Sequence, residues 1–345
     1  MEIRNNPFAV KTPESLGAAE LVDLFVPYPE YENLQETGHH FLHGHRGSGK
    51  SMMLRMMEPE CQTLHRNCSI DELPYFGTYF SIKATEINQP EFARLEKEPS
   101  GFVLSEHVLT TKVLSHLIAS VGRNLAKSED SRVVLDRAKD FVRLDFVRRL
   151  ELCGWKGVSI ETVQQASIVD EVFAMLTALI DQMQANTIRY IKRHAFVSMP
   201  LPYDGALLGF QDVLVPVVKA LGKHKLIPPC PVFVLIDDAD NLSEQQTKVL
   251  NTWVSYRSTE VISLKISTQL NYKTLMTSGD VRIEAPHDFS EINFTTVRTG
   301  SVRKGYPDLV TDIVNRRLAK YGLIDVDVRD FFPRRRFPSE SHKGH

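Results

Sequence analysis

Gly44 to Ser51 reads GHRGSGKS, a full match to the phosphate-binding pattern G-x-x-x-x-G-K-[ST]. In such a run Gly44, Gly47 and Gly49 let the backbone turn tightly, so that successive N–H groups point inward at phosphate oxygens. Lys50 would carry a compact positive charge to the β- and γ-phosphates of a nucleotide, and the Ser51 hydroxyl is placed for Mg²⁺. His45, Arg46, Ser48 and Met52 complete the wrap, so Gly44 through Met52 form the candidate nucleotide-binding set. The bland alternative is a glycine-rich turn with an incidental lysine.

A phosphate loop needs a second element, an acidic residue that reaches the metal. VFVLIDDADNL, Val232 to Leu242, supplies it: five apolar residues without alternation read as a fully buried parallel strand. Asp237 falls at the carboxyl end of that strand, where open α/β sheets bind ligands, and is the candidate Mg²⁺ carboxylate, directly or through water. Asp238 follows as the candidate that polarises an attacking water, although aspartate is one methylene shorter than the glutamate common there. Asp240 reads more simply as a helix cap. A third element, VISLKISTQ (Val261 to Gln269), is another buried strand ending in polar residues. Ser267, Thr268 and Gln269 all qualify to orient water beside a γ-phosphate, and spacing alone does not choose among them. Thr268 is grouped with Lys50 and Asp238 in the candidate catalytic set.

These residues must be positioned by strands and helices. His40 to His43 is the strand expected before the loop, and Ser51 to Met57 the helix after it. A helix over Ser243 to Tyr256 joins the second and third strands, as a β-α-β crossover requires. Gly77 to Lys83 reads as a further strand, rich in aromatic and β-branched residues. Together they predict a parallel α/β sheet.

The ordered set GHRGSGKS, VFVLIDDAD and KISTQ resembles the AAA+ branch of P-loop ATPases, and within it the origin-recognition/initiator-type group and its bacterial relatives. Asn6 to Phe8 (NPF) and Leu21 to Val26 (LVDLFV) resemble that group's nucleotide-adjacent leader. Pro286 to Ile292, Asp312 to Leu323 and Asp330 to Pro333 resemble the tail of its bacterial members. The resemblance covers about residues 1–85 and 228–333. It implies a P-loop NTPase (AAA+-like) fold, ATP with Mg²⁺ as cofactors, and hydrolysis coupled to a homo-oligomer or to a partner protein in a multi-component system. Mobile-element and phage-defence systems are the settings it suggests. An arginine from a neighbouring subunit commonly completes such sites; Arg257 and Arg282 are the candidates here, while Arg316 and Arg317 could reach the γ-phosphate in cis.

Between Lys50 and Asp237 the period changes to helical. Phe102–Leu125, Val133–Leu152 (with Phe141, Leu144, Val147 and Leu150 on one stripe), Ile160–Tyr190 and Asp204–Leu221 carry apolar residues at helical spacing, with Pro216 expected to kink or end the last. The organisation predicted is 1–94 as leader and P-loop half of the core, 95–226 as a helical insertion, 227–295 as the magnesium-strand half, 296–333 as a lid-like segment and 334–345 as a basic flexible tail. That length leaves room for a partial lid and none for a complete winged-helix domain.

Composition sets the outer limits. The 345 residues are 42% apolar and 24% charged, and 41 lysines and arginines against 43 acidic residues give a net charge of −2. Wholesale disorder and a strongly basic nucleic-acid binder are both excluded by that balance. DNA stays a candidate partner only locally: Lys139, Arg143, Arg148 and Arg149 face Asp136, Asp140, Asp145 and Glu151, which nearly cancel them, and Arg334 to Arg336 suit a flexible tail better. Four cysteines form no disulfide framework, no apolar run spans a bilayer, and no signal-type segment opens the chain, so a soluble cytoplasmic protein is expected. Cys61, His65 and Cys68 lack a fourth ligand and a C-x-x-C pair, which argues against zinc. His39, His40 and His43 read as structural or exposed. A nucleotide-gated scaffold with little hydrolysis is the alternative to a hydrolysing ATPase.

Overall fold

The computed structural model describes residues 12–28, 30–83, 99–126, 131–156, 160–194, 196, 201–256, 258–270, 272–294, 306–320 and 322–323. Asn6 to Phe8, Arg257, Asp330 to Pro333 and Arg334 to Arg336 lie outside them.

Five parallel strands form one sheet in the order β2-β3-β4-β1-β5: β1 (His40–His43), β2 (Phe76–Ser81), β3 (Val232–Asp237), β4 (Ile262–Thr268) and β5 (Ser290–Asn293). β3 and β4 are buried along their whole length, as continuous apolar runs in parallel sheets are. β4 is inserted between β1 and β3, so the polar end of β4 lies between the phosphate loop and Asp237.

The two sheet faces bury different partners. Phe233 and Leu235 of β3 and Leu42 of β1 share a core with α1 (Ala18–Leu24), α2 (Tyr31–Leu34), α3 (Lys50–Arg55) and α4 (Pro59–Arg66). Gly77 permits the close approach on this side: a Cβ there would sit 2.1 Å from the Met57 carbonyl oxygen. The opposite face presents Val232, Val234, Ile236 and Leu264 to one contiguous core. That core takes in the helices expected as an insertion: α5 (Pro99–Leu125), α6 (Ser131–Phe141), α7 (Val147–Leu152), α8 (Ile160–Gln164), α9 (Val169–His194) and α10 (Val215–Lys223). α11 (Glu244–Ser255) provides the β3–β4 crossover, opened by a Ser243–Gln246 capping box.

Three helical expectations are corrected. Val133–Leu152 is not one α-helix, because a π turn over Val142–Phe146 separates α6 from α7. The wider turn breaks the expected stripe at one position only, since Phe141, Val147 and Leu150 stay buried. Leu144, expected inside, is 46% exposed, and Phe146 is fully buried in its place. Ile160–Tyr190 is divided between α8 and α9, where the Glu171 carboxylate accepts the Ser167 N–H (2.7 Å) and marks a fresh helix start. Pro216 opens the regular part of α10 rather than ending a helix; it follows a π turn at Phe210–Leu214, where its missing N–H costs least.

α12 (Tyr306–Lys320) is the last helix among the described residues and docks on the leader. Arg316 Nη1 donates to the Phe25 carbonyl (2.6 Å), and Lys320 Nζ pairs with Glu20 (2.9 Å). Among the described residues no helix is long and apolar enough to cross a membrane.

Candidate functional site

The phosphate loop leaves β1 at His43 and turns through Gly47 (φ +80°) and Gly49 (φ +95°), conformations that side chains rarely adopt. Tyr28, from the leader, lies over it: its hydroxyl donates to the Ser48 carbonyl (3.0 Å), and its ring meets Phe294 edge-on. Lys50 Nζ turns back onto the loop, donating to the carbonyls of Gly44 (2.7 Å) and His45 (3.1 Å). Burial lowers the Lys50 pKa, while the charges of Asp237, Asp238 and Asp240 hold it up.

A cavity of about 720 Å³ opens beside this loop. Arg46, Gly47, Ser48, Gly49, Lys50, Ser51 and Met52 line one wall, and Leu16, Phe25, Val26 and Tyr28 of the leader another. Ser81 and Lys83 from the end of β2, Asp238, and Arg317 from α12 complete it. A volume of this size with an apolar wall and a few convergent polar groups is typical of small-molecule sites. Gly44 lies just outside the lining and His45 is exposed away from it.

Asp237 is enclosed completely and does not face the cavity. Its carboxylate accepts three donors: Tyr79 Oη (2.9 Å), the Asp238 N–H (3.0 Å) and the Ser267 hydroxyl. A carboxylate has about four lone-pair positions, so one is left for a water or a metal. The candidate ligand atoms, the Ser51 hydroxyl and the Asp237 carboxylate, are oxygens, the set that suits Mg²⁺. Burial and the charges of Asp237 and Glu14 raise the Tyr79 pKa far above its ordinary value, so the phenol stays a donor.

Asp238 lies in the left-handed region (φ +57°), which turns its carboxylate to the cavity, where Ser81 Oγ donates to it (3.2 Å). Burial first, and the Asp237 charge second, raise its pKa. The same N–H that serves Asp237 also reaches Ser267 Oγ (3.1 Å). Asp240, read as a cap, instead accepts from Gln269 Nε2 (3.0 Å) and the Gln269 N–H (3.3 Å).

Of the three polar residues ending β4, the structure brings Ser267 to Asp237, and Gln269 to Asp240. Thr268 points to the opposite face of the sheet, is fully buried, does not line the cavity, and donates to the Gln269 carbonyl (3.1 Å). Of the arginines, Arg317 lines the cavity; Arg316 holds the leader, and Arg282 is exposed in a bridge with Met276. Cys61 is buried with its thiol pushed up to about 12 by burial, and His65 packs against Phe25. Arg143 is paired with Asp140 (2.8 Å), and Asp145 with Lys223 and His224.

Tyr79, Ser81 and Lys83 were not foreseen as site residues. Their signal was available in part: alternation along β2 puts Tyr79 and Ser81 on one face, but sequence does not say which strand β2 adjoins.

The parallel sheet flanked by helices is the α/β architecture of a P-loop NTPase-like protein. Compared with known families, the chain matches the ORC-CDC6-like family over residues 6–344 and belongs to it. This agrees with the resemblance to origin-recognition/initiator-type AAA+ proteins, a class of nucleotide-binding proteins. No curated protein matches the chain.

Proposed function

We propose that the chain binds ATP with Mg²⁺ in the cavity beside the phosphate loop and hydrolyses it, coupling nucleotide state to assembly with itself or a partner. The observation that carries this reading is the convergence of Lys50, Ser51, Asp238 and Arg317 on one cavity roofed by the leader. Lys50 is the phosphate cation, and it must leave the Gly44 and His45 carbonyls to reach a γ-phosphate. Ser51 and Asp237 would hold Mg²⁺, Asp237 from its enclosed position at the end of β3. The metal would supply charge neutralisation between the phosphates. Asp238 orients and deprotonates the attacking water, its pKa raised by burial toward the range that suits a proton acceptor. Arg317 supplies positive charge from α12. Ser267, through its bond to Asp237, is the better-placed polar residue of β4, with Thr268 left a structural role.

A nucleotide-gated scaffold is supported by one observation: Asp238 is tied to Ser81, one methylene short of the usual reach. A partner protein, DNA, and a defence or mobile-element setting belong to the proposal through the resemblance alone. Steady-state ATPase assays with and without DNA, with mass measurement in the presence of ATP, test hydrolysis against scaffolding.

A further inference from the structure

Tyr79 stands where three parts of the molecule meet. Its hydroxyl is 2.9 Å from Asp237 Oδ2 and 3.4 Å from Glu14 Oε1 in the leader. Arg55 of α3 lies over its ring, 5.3 Å from the centroid, and the same guanidinium donates to the Pro13 carbonyl (2.9 Å). Pro13 and Glu14 themselves line the cavity. A phenol has one proton to give. Donation to Asp237 therefore leaves Glu14 unserved, and the shorter distance goes to Asp237. The other two donors on that carboxylate, the Asp238 N–H and the Ser267 hydroxyl, both meet Oδ1. Among the described contacts Tyr79 is thus the group that fixes Oδ2, and with it the rotation of the carboxylate.

We propose that Tyr79 is a positioning residue for Asp237, orienting the carboxylate for Mg²⁺ from the strand on its far side. The inference rests on the magnesium role given to Asp237 above. Removing the hydroxyl takes one donor from a buried carboxylate, at a cost in stability, but the ring packs under Arg55 in either case and phenylalanine would keep that packing. The Mg²⁺ requirement separates an orienting role from that stability cost. Groups that hydrogen-bond a metal's carboxylate in this way typically set affinity by about 10–100-fold.

The test is a Mg²⁺ titration of fluorescent-ATP-analogue binding to the full chain, run on the parent, Tyr79→Phe and Glu14→Gln, with a parallel titration in EDTA. Tyr79→Phe should raise the half-saturating Mg²⁺ concentration about 10-fold and leave metal-free binding of the analogue within about 2-fold. The EDTA arm also reports whether the variant is folded. Glu14→Gln, which neutralises the competing acceptor, should leave the Mg²⁺ requirement within about 2-fold of the parent. If Tyr79→Phe titrates like a parent whose binding is Mg²⁺-dependent, the positioning role is wrong while the magnesium reading stands. If Glu14→Gln raises the requirement as much as Tyr79→Phe, Tyr79 acts through the leader and the proposal is overturned. A parent that binds the analogue equally with and without Mg²⁺ removes the magnesium role itself, and this inference with it.

Discussion

The Ser267 hydroxyl on β4 donates to Asp237 Oδ1 at the end of β3, on the same face of the sheet and next to the phosphate-loop strand. Both residues are fully buried, so the bond forms out of water's reach. A hydrogen bond to a buried charge contributes about 1.5–3 kcal/mol, and losing its donor leaves the charge less compensated. Ser267→Ala should therefore lower the unfolding free energy by about that amount. Thr268→Ser, which keeps the hydroxyl that serves the Gln269 carbonyl, should cost less than about 1 kcal/mol by the same measurement. Denaturant melts of the two variants check the ordering.

Lys50→Ala removes the one lysine that lies inside the loop. Fluorescent-nucleotide titration should show affinity falling by at least about 10-fold, the scale of one charge-assisted contact, with the thermal midpoint preserved. Equal affinity in the variant would mean the nucleotide does not sit on this loop.

Arg316 and Arg317 are neighbours in sequence with different destinations. Arg317 faces the cavity, and Arg316 is spent on the Phe25 carbonyl. Arg317→Ala should weaken triphosphate binding by about 10-fold, and Arg316→Ala by less than about 3-fold. Side-by-side titration with ATP and ADP analogues separates them; a reversed order would place α12 differently on the leader.

The loop, Asp237 and the β4 end were legible because each is a local pattern of residue types. What lay hidden depends on register and on neighbours distant in sequence. Parity along β4 separates Ser267 from Thr268, but only the β3–β4 register, with Ile236 beside Ile266, brings Ser267 to the level of Asp237. Tyr79 reaches Asp237 across 158 positions, and no spacing rule connects them. Leu144 was misplaced for a different reason: a π turn adds a residue that apolar periodicity does not record. The helical expectations over α5 and α11 contain no such turn and lie where periodicity puts them.

Stability should fall in mild acid. His39 accepts the Leu264 N–H on Nδ1 (3.0 Å), and His107 accepts the Leu208 N–H on Nδ1 (2.9 Å). Protonating either nitrogen destroys a buried backbone bond, and burial takes both pKa values from 6.5 down to about 4. The folded state then binds fewer protons than the unfolded chain between those values, so the stabilising neutral form is fully present above 6.5 and is lost as the pH falls toward 4. Each histidine accounts for up to ~3 kcal/mol across that window. Thermal melts from pH 7 to pH 4 should show a falling midpoint, and His107→Asn, whose amide oxygen replaces Nδ1 as acceptor, should flatten the fall. A midpoint constant over that range would contradict the buried-neutral assignment.

The central claim is that Asp238 acts on the water while Asp237 holds the metal. It is tested most directly by single-turnover ATP hydrolysis on the parent, Asp238→Asn and Asp237→Asn, with retained nucleotide measured in the same samples. Asp238→Asn should keep ATP and lose turnover by about 10²-fold or more, as removal of a general base does. Asp237→Asn should lose Mg²⁺-dependent binding itself. A parent that hydrolyses ATP no faster than Asp238→Asn, with both retaining nucleotide equally, would contradict the account and leave a nucleotide-gated scaffold in its place.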